Sequence, residues 1–142
     1  MSTESNKALV RRYREIHNNN EMDKLDEVLA QDFIPHTFMP GIPWNGLESA
    51  RQVHLLGIAS FPDSKVTTDD LFAEDDKVVE RWTLTQTHTG APFMNIPASN
   101  RSMTMTGISI YRIANGKIVE HWTNMDFFGM MMQMGAIPAP GM

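Results

Sequence analysis

Asn115-Gly116 lies between two apolar runs, 108–113 and 118–125, and this arrangement constrains the fold more than any other feature of the chain. Both residues tolerate positive φ, as a two-residue type I′ turn requires. The flanks are rich in β-branched and aromatic side chains, which favour strands. The segment 107–129, GISIYRIANGKIVEHWTNMDFFG, therefore reads as a β-hairpin. With the loop at Asn115-Gly116, Ile113 opposes Ile118, Tyr111 opposes Glu120 and Ser109 opposes Trp122. Arg112, Ile110 and Ile108 then share the other face with Val119, His121 and Thr123. Glu120, His121, Trp122, Asn124 and Asp126 fall within about 20 Å of strand. That density of polar and aromatic groups exceeds what a purely supporting strand needs, and function is expected there.

Upstream, residues 6–19 read as an amphipathic helix, with Leu9, Val10, Tyr13, Ile16 and His17 at helical spacing. The run Asn18-Asn19-Asn20 ends it. Residues 22–30 suggest a second short helix, with Asp23 near its positive end. Residues 33–45 hold three prolines and a glycine and read as a loop. A third helix is expected over 47–60, stopping before Pro62. Strands follow at 65–73 and 77–89 around the turn Glu74-Asp75-Asp76, then an irregular crossover at 91–100 and the hairpin strands 101–113 and 117–126. Three helices followed by a four-strand meander is an α+β order. The expected packing places the three N-terminal helices in a strongly curved antiparallel sheet, forming a cone with an internal pocket. The chain of 142 residues is read as one domain, with 1–5 and 136–142 as tails.

Composition narrows the function classes. There is no cysteine, which excludes disulfides, thiolate nucleophiles and Cys-ligated zinc. The net charge of -5 and the lack of a basic stripe argue against nucleic acid. No apolar run approaches a membrane span and no signal core precedes residue 12, so no membrane partner and a cytoplasmic protein are expected. Twelve methionines suit an adaptable core or pocket wall. No phosphate loop, Ser-His-Asp order or metal-ligand spacing occurs, so no metal site is expected.

The hairpin, the step Asp32-Phe33 and the run RWTLTQTHTGAPFMNIPASNR at 81–101 carry a resemblance. Together with THTG (87–90), GKI (116–118) and the D-x-x-G at 126–129, they make the chain similar to the SnoaL-like polyketide cyclases over residues 10–135. The resemblance implies the cone-shaped fold shared with nuclear transport factor two, ketosteroid isomerase and limonene epoxide hydrolase. It also implies a deep apolar pocket, no cofactor and a homodimer. Its best-known members close a ring of an anthracycline precursor by intramolecular aldol condensation. They use an acid-base Asp and an assisting His, whose positions here carry Thr123 and Ser109. An assisting Gln falls at Gly107, and an Asn after helix two at Pro35, beside His36. Thr123 cannot serve as a general base at neutral pH.

Three residues remain as candidate acids or bases. His121 is one, since imidazole titrates near pH 6.5; the alternative is a solvent-facing strand residue. Asp126 either takes part in proton transfer or caps the turn that follows. His36 either polarises a ligand carbonyl or bonds a nearby backbone group. Arg81 holds a ligand oxygen if it faces inward and pairs with a surface acid if outward. Tyr13 and Trp122 are pocket-wall candidates whose default is core packing. Ser109, Glu120, Thr123 and Asn124 complete the expected substrate-binding set. His88, beside Gly90, is expected to make a structural hydrogen bond. Met130, Met131, Met132 and Met134 plug the pocket mouth or form a dimer contact.

Two readings follow. In the first, the chain binds a small apolar cyclic carbonyl compound and performs cofactor-free cyclisation, isomerisation or hydration. In the second, a non-catalytic ligand-binding dimer kept the cavity and lost the Asp/His pair.

Overall fold

The computed structural model describes residues 2–36 and 45–141. Most of the loop expected over 33–45 therefore lies outside the described residues. Helix α1, Thr3–Asn18, starts within the segment expected as a tail. Ser2 and Ser5 explain the early start, because each side chain bonds the other's backbone N–H in a reciprocal cap. Residues Met22–Glu27 form a 3₁₀ helix rather than an α-helix. The chain then enters a strand not expected from the sequence, β1, Leu29–Pro35. Helix α2, Gly46–Ser60, matches the third expected helix. Strands β2 (Lys65–Glu74), β3 (Lys77–Thr87), β4 (Ser102–Ala114) and β5 (Lys117–Met125) form the expected meander. Helix α3, Phe127–Gln133, closes the order.

The class is α+β, as expected, with helices beside one five-stranded sheet of order β1-β5-β4-β3-β2. The sheet is mixed, because β1 runs parallel to β5. Pro35, which has no N–H to donate, is tolerated because β1 is an edge. The His36 N–H donates to the His121 carbonyl at 2.8 Å and extends the pairing by one step.

The hairpin forms at the expected turn. Asn115 has φ 52° and Gly116 φ 75°, the signs a type I′ turn demands. Its register differs from the simple expectation. Ile113 pairs with Ile118, but Arg112 pairs with Glu120, Tyr111 with His121 and Ser109 with Thr123. Val119 is an extra residue, and such a β-bulge exchanges the two faces beyond it. His121 and Thr123 thus join Tyr111 and Ser109, while Trp122 joins Ile110.

Two apolar clusters fill the concave side. One joins α1, the 3₁₀ helix, β1 and α2 to β4 and β5 through Val10, Leu25, Phe33, Leu47, Tyr111 and Ile118. The other joins Phe61, Trp82, Met103, Met105, Met130 and Met134. No described helix is long and apolar enough to cross a membrane.

Candidate functional site

Alternation along β3 decides what enters the cone. Val78, Glu80, Trp82 and Gln86 are buried, and Lys77, Arg81 and Thr85 are exposed. On β4 the inward set is Met103, Met105, Gly107, Ser109, Tyr111 and Ile113. With the inward residues of β5 and the facing surfaces of α1 and α2, these strands enclose a cavity of about 290 Å³. Its wall includes Tyr13, His17, His54, Trp82, Gln86 and His121, and it is mostly apolar.

A buried ion pair reaches the wall, with Arg14 on it and Glu80 behind. Arg14 projects from α1 and donates to both carboxylate oxygens of Glu80, at 3.1 and 2.7 Å. Tyr111 Oη donates to Glu80 Oε1 at 2.7 Å, and Thr68 Oγ1 donates to Oε2 at 2.6 Å. Burial pushes the Glu80 carboxyl upward, but hydrogen bonds and the charge of Arg14 outweigh it and hold the group below its ordinary value. Sequence reasoning missed both residues. The signal was present: Glu80 falls in the inward set with Val78 and Trp82, and Arg14 lies one turn after Val10 on the apolar side of α1.

Three imidazoles face the same cavity. His121 is packed edge-on between Phe33 and Tyr111, with ring centroids 4.9 and 5.9 Å away. Burial, then the positive charge of Arg14, lowers its pKa to about 4. His17 stacks on His54 at 4.8 Å and lies 4.3 Å from the Tyr13 ring. Burial and Arg14 also hold His17 well below, and His54 below, the ordinary imidazole value. These groups are neutral at neutral pH and can accept protons or hydrogen bonds. Burial raises the Tyr13 phenol to about 12, so it stays protonated.

Thr123 lines the cavity as well, and Ser109 is buried behind it. Trp82 Nε1 donates to Ser109 Oγ at 3.0 Å, and Ser109 and Thr123 share a hydrogen bond of 2.9 Å. The indole also accounts for Gly107, its partner across the strands. A Cβ at position 107 would fall 2.2 Å from the Trp82 ring, so the indole occupies the space a side chain there would need.

The other expected site residues lie elsewhere. Glu120 and Trp122 are on the outer face. Glu120 accepts from Arg112 at 2.7 Å and lies 2.7 Å from His36 Nε2, and His36 stacks on Trp122 at 5.0 Å. The hydrogen bond from Arg112, then that from His36, lowers the Glu120 pKa. Arg81 faces outward and bonds Asp70 at 2.7 Å. It borders a shallow outer groove with Asn124 and Asp126. Asp126 accepts from the Gly129 N–H at 2.9 Å and caps α3. His88 is buried and its Nε2 lies 3.0 Å from the Ala91 carbonyl, a structural contact in the crossover. Met130 lines the cavity from α3, and Met134 is buried in the second cluster. Among the described residues, no three His, Asp or Glu side chains are grouped to hold a metal ion.

Comparison with known proteins places this architecture. The profile of the SnoaL-like polyketide cyclases matches residues 7–134, and the chain belongs to that family. No curated protein matches the sequence. Among solved structures, TsrD from Streptomyces laurentii is 28% identical with a TM-score of 0.86, covering 96% of this chain and 99% of its own. IdmH from Streptomyces antibioticus, described as a candidate polyketide cyclase, is 30% identical with a TM-score of 0.79, covering 92% and 98%. AclR from Streptomyces galilaeus, described as a candidate hydroxylase, shares the fold at 21% identity and a TM-score of 0.83, covering 99% and 87%.

Proposed function

We propose that this chain binds a small apolar, ring-containing carbonyl compound in its cavity and carries out cofactor-free acid-base chemistry on it. The observation that carries this reading is the grouping of neutral imidazoles in the wall of a mostly apolar cavity. Of the three sequence candidates for acid or base, His121 is the one on that wall. A neutral imidazole accepts a proton from a carbon acid or an attacking water, and burial makes the charged product transient. Cyclisation, isomerisation and hydration all need such a transfer.

A melting screen with aromatic and steroid-like ketones tests the binding. A ligand at 100 times its dissociation constant stabilises by about 2.7 kcal/mol. With a turned-over compound in hand, His121→Gln is expected to lose tenfold or more in rate with its fold intact, about 1.4 kcal/mol of transition-state stabilisation. Full activity in that variant would remove His121 from the mechanism.

The rival reading, ligand binding without catalysis, draws on Thr123 and Ser109. They offer only a hydrogen-bonded pair of hydroxyls, with no group that ionises near neutral pH. Saturable binding with no turnover of any ketone that binds would favour it.

We also propose a homodimer formed through the outer sheet face. Phe72, Val79, Ile110 and Trp122 follow one another across four strands at paired positions. Phe72 is 58% exposed and Ile108, beside the row, 50%. A contiguous apolar face of this kind needs a cover. Light scattering is expected to give twice the chain mass at micromolar concentration, and Ile110→Asp to give the monomer. A monomeric wild type would refute the dimer.

A further inference from the structure

One polar side chain in the cavity has no structural task. Gln86, on β3, is 7% exposed and lines the cavity among Phe61, Leu84, Phe93, Met105 and Met130. Its Nε2 meets the sulfurs of Met103 and Met130, each at 3.7 Å. Thioethers are weak acceptors. Among the described residues its amide meets no oxygen or nitrogen partner. Burying a carboxamide without a good partner costs free energy, and a leucine or methionine would fill the same space without that cost. Asn18, also on the cavity wall, is by contrast fully used, exchanging two hydrogen bonds with the Val66 backbone.

Position matters as much as partnership. Gln86 stands six residues along β3 from Glu80, about 20 Å in an extended strand. Glu80 marks the polar end of the cavity, where Arg14 and His121 lie; Gln86 marks the other end, among methionine and phenylalanine side chains. The formally charged group on the described wall is Arg14, and Glu80 already neutralises it. Among the described lining residues, none at the Gln86 end would balance an anion. A single neutral donor in an apolar surround matches one neutral acceptor oxygen.

We propose that Gln86 is a specificity-determining residue: its amide donates to a carbonyl oxygen at the end of the ligand remote from His121. This rests on the reading of the cavity as a ligand site, and it narrows the substrate class. The compound is uncharged, ring-containing and bears an acceptor oxygen at each end of an apolar body. The discrimination comes from the site's own need, since a ligand lacking that oxygen leaves the buried donor unpaired.

The test uses matched ketone and hydrocarbon probes: 9-fluorenone with fluorene, and anthrone with 9,10-dihydroanthracene. Each is titrated against the full chain, with tryptophan fluorescence as readout. Wild type is expected to bind the ketone at least tenfold more tightly than its hydrocarbon. Gln86→Met keeps the length of the side chain and removes the donor; it is expected to bring each pair within about threefold while leaving hydrocarbon affinity unchanged or improved. Gln86→Leu serves as a second variant should Gln86→Met fail to fold. A preference for the ketone that survives in the variants overturns the assignment of Gln86 and leaves the cavity reading standing. Equal affinities in wild type do the same. Absence of binding by all four probes overturns both.

Discussion

Glu80→Ala is expected to lower the unfolding free energy by about 3–5 kcal/mol, the cost of leaving a buried charge without its partner. The side chain of Glu80 is 0% exposed and that of Arg14 13%, so water cannot take the carboxylate's place. The same carboxylate anchors Tyr111 and Thr68, and all three connections to it are lost together. For a chain of this size the melting temperature is expected to fall by roughly 10 °C or more. The double variant Arg14→Met with Glu80→Leu should recover much of the loss, because removing both charges leaves no buried ion. Urea unfolding of the three proteins measures this directly. A loss under 1 kcal/mol for Glu80→Ala would show that the pair contributes no more than a surface contact. The pH dependence has a definite sign. The folded carboxyl is held below its ordinary value of 4.5, so its contribution is present above that pH. It fades as the pH falls from there through the folded value.

This network shows where the sequence is readable and where it is not. Asn115-Gly116 could be read because a type I′ turn makes a local demand that few residue pairs satisfy, and both φ values are positive as required. Helix α2 and the β2–β4 meander could be read for similar reasons of period and punctuation. The bulge at Val119 could not, because one extra residue leaves no mark on an alternating pattern, yet it decides which face His121 occupies. Strand β1 was hidden by the proline at its end, Pro35, and by its partner: pairing with β5 is parallel and supplied from about 90 residues away. The family resemblance pointed to the cone and to the hydroxyls at Ser109 and Thr123. It did not point to Arg14, Glu80 or Gln86. Those three are polar residues at positions where the local period calls for apolar ones, and the mismatch is the signal that sequence reading passed over. Asp126 and Arg81 illustrate the opposite case. Both looked chemical by residue type, and both are occupied by a helix cap and a surface ion pair.

His121 provides an acid-sensitive counterpart to Glu80, acting in a different pH window. Its folded pKa, lowered to about 4 by burial and then by the charge of Arg14, lies below the ordinary imidazole value of 6.5. As the pH falls below 6.5 the unfolded chain takes up the proton and the folded chain does not. Stability is therefore expected to decline from about pH 6.5 toward pH 4, by about 3 kcal/mol from this residue at the acid limit. His17 and His54, lowered for the same reasons, add to the decline in the same direction. The Glu80 contribution fades mainly below 4.5, so the imidazoles dominate the change from pH 7 to 4.5. Urea titrations of wild type and His121→Gln across that interval measure the difference. The variant is expected to lose about 2–3 kcal/mol less than wild type between the two pH values. Parallel losses in the two proteins would show that burial does not hold His121 neutral. The same result would withdraw its proposed role, because a base that is charged below neutrality cannot accept a proton there. With His121 neutral, the rate on a turned-over ketone should rise as its imidazolium loses the proton near pH 4.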